Sequence, residues 1–209
     1  MKHLFILVLC VLIFQSADAQ SWQVGVRSGV GQTFHTGPAY YINPPVWDTE
    51  LFLRREKNKW AFEIAAGHYK YTRHTTMSMD KFFGPSSFSA IDITTNNFNL
   101  TGSFQRQILS TKNNRLRNYI GLSGGMIHRI DKYNAVVIVY NNETPPSSEE
   151  WSQNEYYPTL GINYYLSYNI TRNVNLNMSV RPALIFDWYY KTTYSDTYLS
   201  GMIGFSCKL

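Results

Sequence analysis

The most constraining feature of this chain is a strict two-residue alternation in its last stretch, Tyr198-Leu-Ser-Gly-Met-Ile-Gly-Phe-Ser-Cys-Lys-Leu209. Leu199, Ile203, Phe205, Cys207 and Leu209 share one parity, with Gly201 among them, while Ser200, Gly204, Ser206 and Lys208 share the other. A period of two places alternate side chains on opposite faces of an extended strand. The apolar parity runs to the final leucine, so it needs an apolar environment along the whole strand.

The same alternation recurs along the chain. Near 21–34, Trp22, Val24, Val26 and Val30 oppose Gln23, Gly25, Arg27, Gly29 and Gly31. Near 46–54, Trp47, Leu51 and Leu53 oppose Asp48, Glu50, Phe52 and Arg54, and from 60 onward Trp60, Phe62 and Ile64 oppose Ala61, Glu63 and Ala65. Further strands are predicted at 88–109, 116–131, 155–169 and 174–187, which with 198–209 make eight. Short polar turns at 55–59, 110–114 and 169–173 alternate with long connections at 72–87 and 132–154. The Val-rich piece at 135–139 can carry the fifth strand into a projecting hairpin.

Large aliphatics occupy one parity and charges the other. A soluble barrel of lipocalin type is apolar inside and polar outside. Here Arg27, Glu50, Glu63 and Arg181 share the parity of the glycines and serines, which suits a polar lumen and a lipid-facing exterior. The predicted fold is therefore an all-β, eight-stranded antiparallel transmembrane β-barrel. Its mean hydropathy of -0.27 is no objection, because alternation cancels in an average. Aromatic residues make up 16% of the chain, enough to supply girdles at two interfaces. Trp47 and Trp60 are placed to anchor opposite ends of one hairpin.

The amino terminus reads as a cleaved signal peptide, residues 1–19, ahead of a barrel domain over 20–209. Lys2 and His3 precede an apolar run of about eleven residues, and Ala17-Asp18-Ala19 supplies the A-x-A site. That run is too short to span a bilayer as a helix, which takes roughly 20 residues. Cys207 would be the one cysteine after cleavage, which rules out an intrachain disulfide, and its parity assigns it to the lipid face.

An eight-stranded barrel is just wide enough for its own side chains to fill. Arg27, Glu50, Glu63 and Arg181, with Asp187 beside them, are therefore expected to form an interior ion-pair network of structural role. A narrow conducting pore is the alternative, and it would need those pairs to open. His35, His68, His74 and His128 fall near the outer strand ends, where a lipid-modifying enzyme would place a base. No serine stands at a distinctive spacing to any of them, so no catalytic residue is assigned. Neither a metal-ligand cluster nor a phosphate loop is present, and no cofactor is expected. The net charge of +5 comes largely from turn residues, including Arg54, Arg55, Lys57, Lys59, Lys112, Arg115, Arg117 and Arg172. With no recognition motif beside them, these do not point to nucleic acid.

The pattern resembles the small outer-membrane β-barrels of OmpA/OmpX type. The Tyr- and Asn-rich strands and the ending Gly204-Phe-Ser-Cys-Lys-Leu209 are more similar to the porin-like or PorT-like barrels of Bacteroidota. One departure is the terminal Leu209, where many proteobacterial barrels end in Phe. The resemblance implies an integral protein of the Gram-negative outer membrane with periplasmic termini. Its surroundings would be outer-membrane lipid and lipopolysaccharide. It also implies insertion by the outer-membrane assembly machinery through the last strand. It transfers no catalytic residue. The expected function is non-enzymatic: extracellular loops presented for surface interaction or for assembly with an envelope or surface protein.

Overall fold

The alternation closes on itself. The structure, a computed structural model, describes residues 22–34, 45–78, 87–139, 147–186 and 195–209. The strands are β1 (Trp22–Phe34), β2 (Val46–Lys57), β3 (Trp60–Ser78), β4 (Ser87–Ser110), β5 (Leu116–Val139), β6 (Ser147–Asn169), β7 (Val174–Phe186) and β8 (Ser195–Lys208). Each pairs antiparallel with its sequence neighbour, and β8 returns to β1, giving a closed eight-stranded barrel. Closure leaves no edge within the wall, which a strand surrounded by hydrocarbon requires. The signal-peptide reading, His35, Asp187 and the segment 140–146 lie outside the described residues.

The exterior is apolar. Leu51, Leu122, Leu100, Phe104, Ile162, Ile203 and Phe205 all point outward with more than 45% of their surface open. Burying one such side chain is worth roughly 1.5–3 kcal/mol, so a belt of them facing water would be untenable. Trp22 and Trp60 stand at the end with the tight turns, Trp47 at the other. Trp60 stacks on Phe104 at 4.8 Å, and the Arg106 guanidinium lies 5.5 Å from the Trp60 ring. Arg106, which breaks the apolar parity, is thus held at the interface by an aromatic face.

The tight-turn end is stitched locally. Asn58 and Lys59 alone connect the paired residues Lys57 and Trp60, and Asn58 takes φ 57°. A two-residue hairpin turn wants that left-handed conformation, and asparagine tolerates it. Arg55 and Glu56, read from sequence as turn, belong to β2. At the closing seam the inward positions of β1 and β8 include Gly25, Gly29, Gly31 and Gly204. A Cβ at Gly29 would run into the Gly201 carbonyl, and one at Gly204 into that of Val26.

The strands differ most from expectation at the opposite end. The β2–β3 ladder starts at the Asp48–Tyr69 pair and the β6–β7 ladder at Thr159–Ile185. Beyond these levels β3 continues with β4 to the pair Ser78–Phe88, β4 with β5 to Ser87–Val139, and β5 with β6 to Val137–Ser147. Much of what read as two long connections is therefore strand. Four strands leave the barrel wall as one sheet, which carries β3 roughly 30 Å further over residues 70–78.

Candidate functional site

The lumen is filled in layers, and the charged layer is central. Arg27 donates from Nε to Glu50 Oε2 at 2.9 Å and from Nη2 to Glu63 Oε1 at 2.8 Å. Arg181 donates from Nη2 to the same Glu50 oxygen at 2.7 Å and from Nη1 to the Thr101 hydroxyl at 3.3 Å. The structure thus brings Arg27, Glu50, Glu63 and Arg181 together, each with less than a tenth of its surface accessible. They come from β1, β2, β3 and β7, so the cluster ties opposite walls. Buried charges persist only when paired in this way.

A fifth member is Arg54, which sequence reasoning also counted with the basic turns. It is fully buried, bonded to Glu63 at 3.2 Å, Gln105 at 2.7 Å and Glu56 at 2.9 Å. Its guanidinium lies 3.9 Å from the Tyr165 ring and 4.5 Å from the Tyr119 ring. Its even parity in β2, shared with Asp48 and Glu50, was the signal for an inward position. Arg117 likewise turns inward to Glu56 and Asn169. The basic rim at the tight turns is smaller than the sequence suggested.

Above the charges, toward the projecting sheet, the lumen is capped by Val46, Tyr69, Tyr71, Ile127, Tyr157, Ile185 and Tyr198. Tyr69 and Tyr198 stack at 5.2 Å, and the Tyr198 hydroxyl donates to Asp48 at 2.5 Å. This plug was missed because its members are large residues on an otherwise small, polar parity. Their common level near the far end of each barrel ladder was the available clue. Along the wall of β6, β7 and β8 small polar residues stand between these larger ones. Asn163, Ser167, Asn177, Ser179 and Ser200 each bury a side-chain atom without a hydrogen-bond partner among the described residues. Such atoms are what internal water satisfies.

The histidines do not gather into a site. His68 and His128 lie on strands, not in loops, and both face outward with Phe98 and Tyr156. The four rings form one row: His68 to Phe98 at 4.8 Å, Phe98 to His128 at 6.4 Å, and His128 to Tyr156 at 4.4 Å. His74 instead bonds Asp92 at 2.5 Å on the exposed face of the projecting sheet. Among the described residues no three His, Cys, Asp or Glu side chains converge on a metal position. Cys207 is free and exposed on the apolar exterior.

No family model matches the chain, and no curated protein matches it. Solved structures do. Ail, the attachment invasion locus protein of Yersinia pestis, superposes with a TM-score of 0.52 at 13% identity, covering 90% of this chain and 98% of Ail. Neisserial surface protein A gives 0.49 at 15% identity, covering 90% of this chain and 97% of that one. The outer membrane protease OmpT from Escherichia coli also aligns, with a TM-score of 0.45 at 9% identity over 92% of this chain and 98% of OmpT. At such identities the likeness is one of fold. With a closed eight-stranded wall, an apolar exterior and a charged lumen, this chain has the fold of a small outer-membrane β-barrel.

Proposed function

We propose that this chain is a non-enzymatic, integral outer-membrane barrel that presents the β3–β6 sheet outside the cell for contact with a surface or envelope partner. The observation that carries the reading is the continuation of four strands beyond the barrel wall. Their outward residues change from Leu100 and Met126 to polar ones such as Thr94 and Asn134. The sheet also ends, among the described residues, in strands whose outer backbone groups are not in a ladder, at 70–78 of β3 and 147–158 of β6. Such edges accept an added strand from a partner.

In this reading the tight turns and both described chain ends face the periplasm, and β8 is the strand read by the assembly machinery. Nearness to the porin-like or PorT-like barrels of Bacteroidota is part of the proposal and rests on the Tyr- and Asn-rich strands. The pore alternative is disfavoured by two layers in series, the Arg27–Glu50–Arg181 cluster and the Tyr69–Tyr198 plug. The enzyme alternative is disfavoured by the scattering of the histidines.

The test is to replace residues 133–153 with an Asn-Gly turn. Ile130 and Asn154 are ladder partners, so the cut ends, Lys132 and Asn154, already lie close together. The barrel should remain heat-modifiable on gels while surface binding, read as retention of extracellular or envelope proteins by intact cells, is lost. Unchanged binding would refute the reading. Protease added to intact cells should cut within 133–153 and nowhere near the tight turns; the opposite pattern would invert the orientation.

A further inference from the structure

The outward face of β3–β6 is ordered by height. Ladder partners place four residues at each level, one from each strand. At the top of the apolar belt stands the row His68, Phe98, His128 and Tyr156. Two residues further out the row is Lys70, Asn96, Ile130 and Asn154. The next is Thr72, Thr94, Lys132 and Ser152, and the next His74, Asp92, Asn134 and Glu150. Successive rows on one face are spaced by about 7 Å of strand. The last two rows, His74 excepted, line with Tyr133 a shallow concavity of about 560 Å³, within the size range of small-molecule sites.

Read upward, one strip of surface therefore offers hydrocarbon contact, then a ring row, then the Lys70 ammonium, then a hollow of hydroxyl, amide and carboxylate groups that also holds Lys132. An ordinary phospholipid is matched only by the first two levels, because its headgroup ends near the ring row. A soluble sugar is matched only by the last two. We infer that this strip binds a glycolipid of the adjacent leaflet. Its acyl chains would lie on Leu100, Met126 and Leu160, its first sugars against the four-ring row, and its outer saccharide in the concavity.

The chemistry fits each level. Amphipathic rings prefer the headgroup level, and because His128 and Tyr156 stack face to face it is their edges, with the imidazole nitrogens and the phenol hydroxyl, that meet sugar hydroxyls. Lys70 and Lys132 are exposed and placed to meet phosphate on such a headgroup. Asp92, Glu150 and Asn134 accept from sugar hydroxyls, and Thr72 and Thr94 both donate and accept. A bare anionic phosphate layer would not call for two carboxylates at the outermost level. A polyhydroxylated headgroup does.

This inference rests on the proposed orientation for which leaflet supplies the lipid, but the chemistry can be tested without it. The folded full-length barrel is placed in phosphatidylcholine nanodiscs doped with lipid A, with lipopolysaccharide carrying a core oligosaccharide, or with phosphatidylglycerol. Nanodiscs offer the same lipids on both faces. Lipid retained after release into detergent is read by native mass spectrometry. The core-bearing lipopolysaccharide should be retained at least about tenfold more than phosphatidylglycerol, equivalent to ~1.4 kcal/mol. H128A/Y156A should lower retention of both glycolipids, whereas D92N/N134A should bring the core-bearing form down to the level of lipid A. Heat modifiability checks that each variant is folded. Equal retention of phosphatidylglycerol, or wild-type retention by both variants, would overturn the inference. Protease cleavage of the sheet from the periplasmic side would overturn the proposed function while leaving nanodisc binding intact.

Discussion

The barrel wall and the projecting sheet are built from the same strands with opposite demands. Within the wall, every strand has two neighbours and its inward residues are charged, small or, at the plug and around Arg54, aromatic. Arg27, Glu50, Glu63, Arg54 and Arg181 bond across the lumen. Above the wall, β3–β6 have only one another among the described residues, and the contacts on their outward face are local, such as Thr72 to Thr94 at 3.3 Å and His74 to Asp92. The lesson is a division of labour along one strand. β5 is a stability element at Leu122 and, in the proposed function, a recognition element at Asn134. A mutation should therefore be judged by height rather than by strand.

That contrast can be broken most severely at Glu50. Replacing it with alanine leaves Arg27 and Arg181 facing each other without their shared carboxylate, at a cost of about 3–5 kcal/mol. Urea unfolding of the barrel in lipid vesicles measures it, and a loss under ~1 kcal/mol would show that the cluster does not hold the wall. Next is a matched pair on the outward face of β5. Leu122→Arg, at mid-belt, should destabilise by about 2–4 kcal/mol, while Asn134→Arg should have almost no effect. Equal costs at the two heights would erase the distinction.

Tyr198→Phe removes the hydroxyl that donates to buried Asp48 and should cost about 1–3 kcal/mol in the same assay. Planar-bilayer recordings of Tyr198→Ala sharpen the plug: ion passage in that variant but not in the wild type would identify the cap as the barrier. Asp92→Asn, which weakens an exposed pair with His74, should change stability by less than ~0.5 kcal/mol and so mark the small end of the scale.

The wall was legible because lipid and lumen impose opposite chemistry on alternate residues. Val24 and Val26 against Gln23 and Arg27 already specify both faces. The projecting sheet was legible only in part: 88–97 and the Val-rich 135–139 read as strand, whereas 72–78 and 147–154 read as connection because they are mostly polar and the alternation fades. Thr72, His74, Glu150 and Ser152 read as loop although they are ladder residues. Arg54 was ambiguous for a different reason. It stands beside Arg55 near a turn, and one residue of register separates a lumen position from the surface. The ring row was hidden by distance in sequence: His68 and His128 become neighbours of Phe98 only once two hairpins have paired.

The glycines along β1 and β8 bear on the order in which the ring is completed. These two strands are the ones that must meet after all the hairpins exist. At their junction the interior side carries Gly25, Gly29, Gly31 and Gly204, with Gln23, Arg27, Tyr198 and Met202 as the larger members. A joint this sparse on its inner side can be drawn together with few bulky groups to thread past one another. Arg27 bonds back to Glu50 and Glu63 on its own side of the joint, whereas Ser206 to Gln23, Tyr198 to Asp48 and Arg181 to Glu50 reach across it. The seam thus behaves as a hinged door held by several small bolts rather than one.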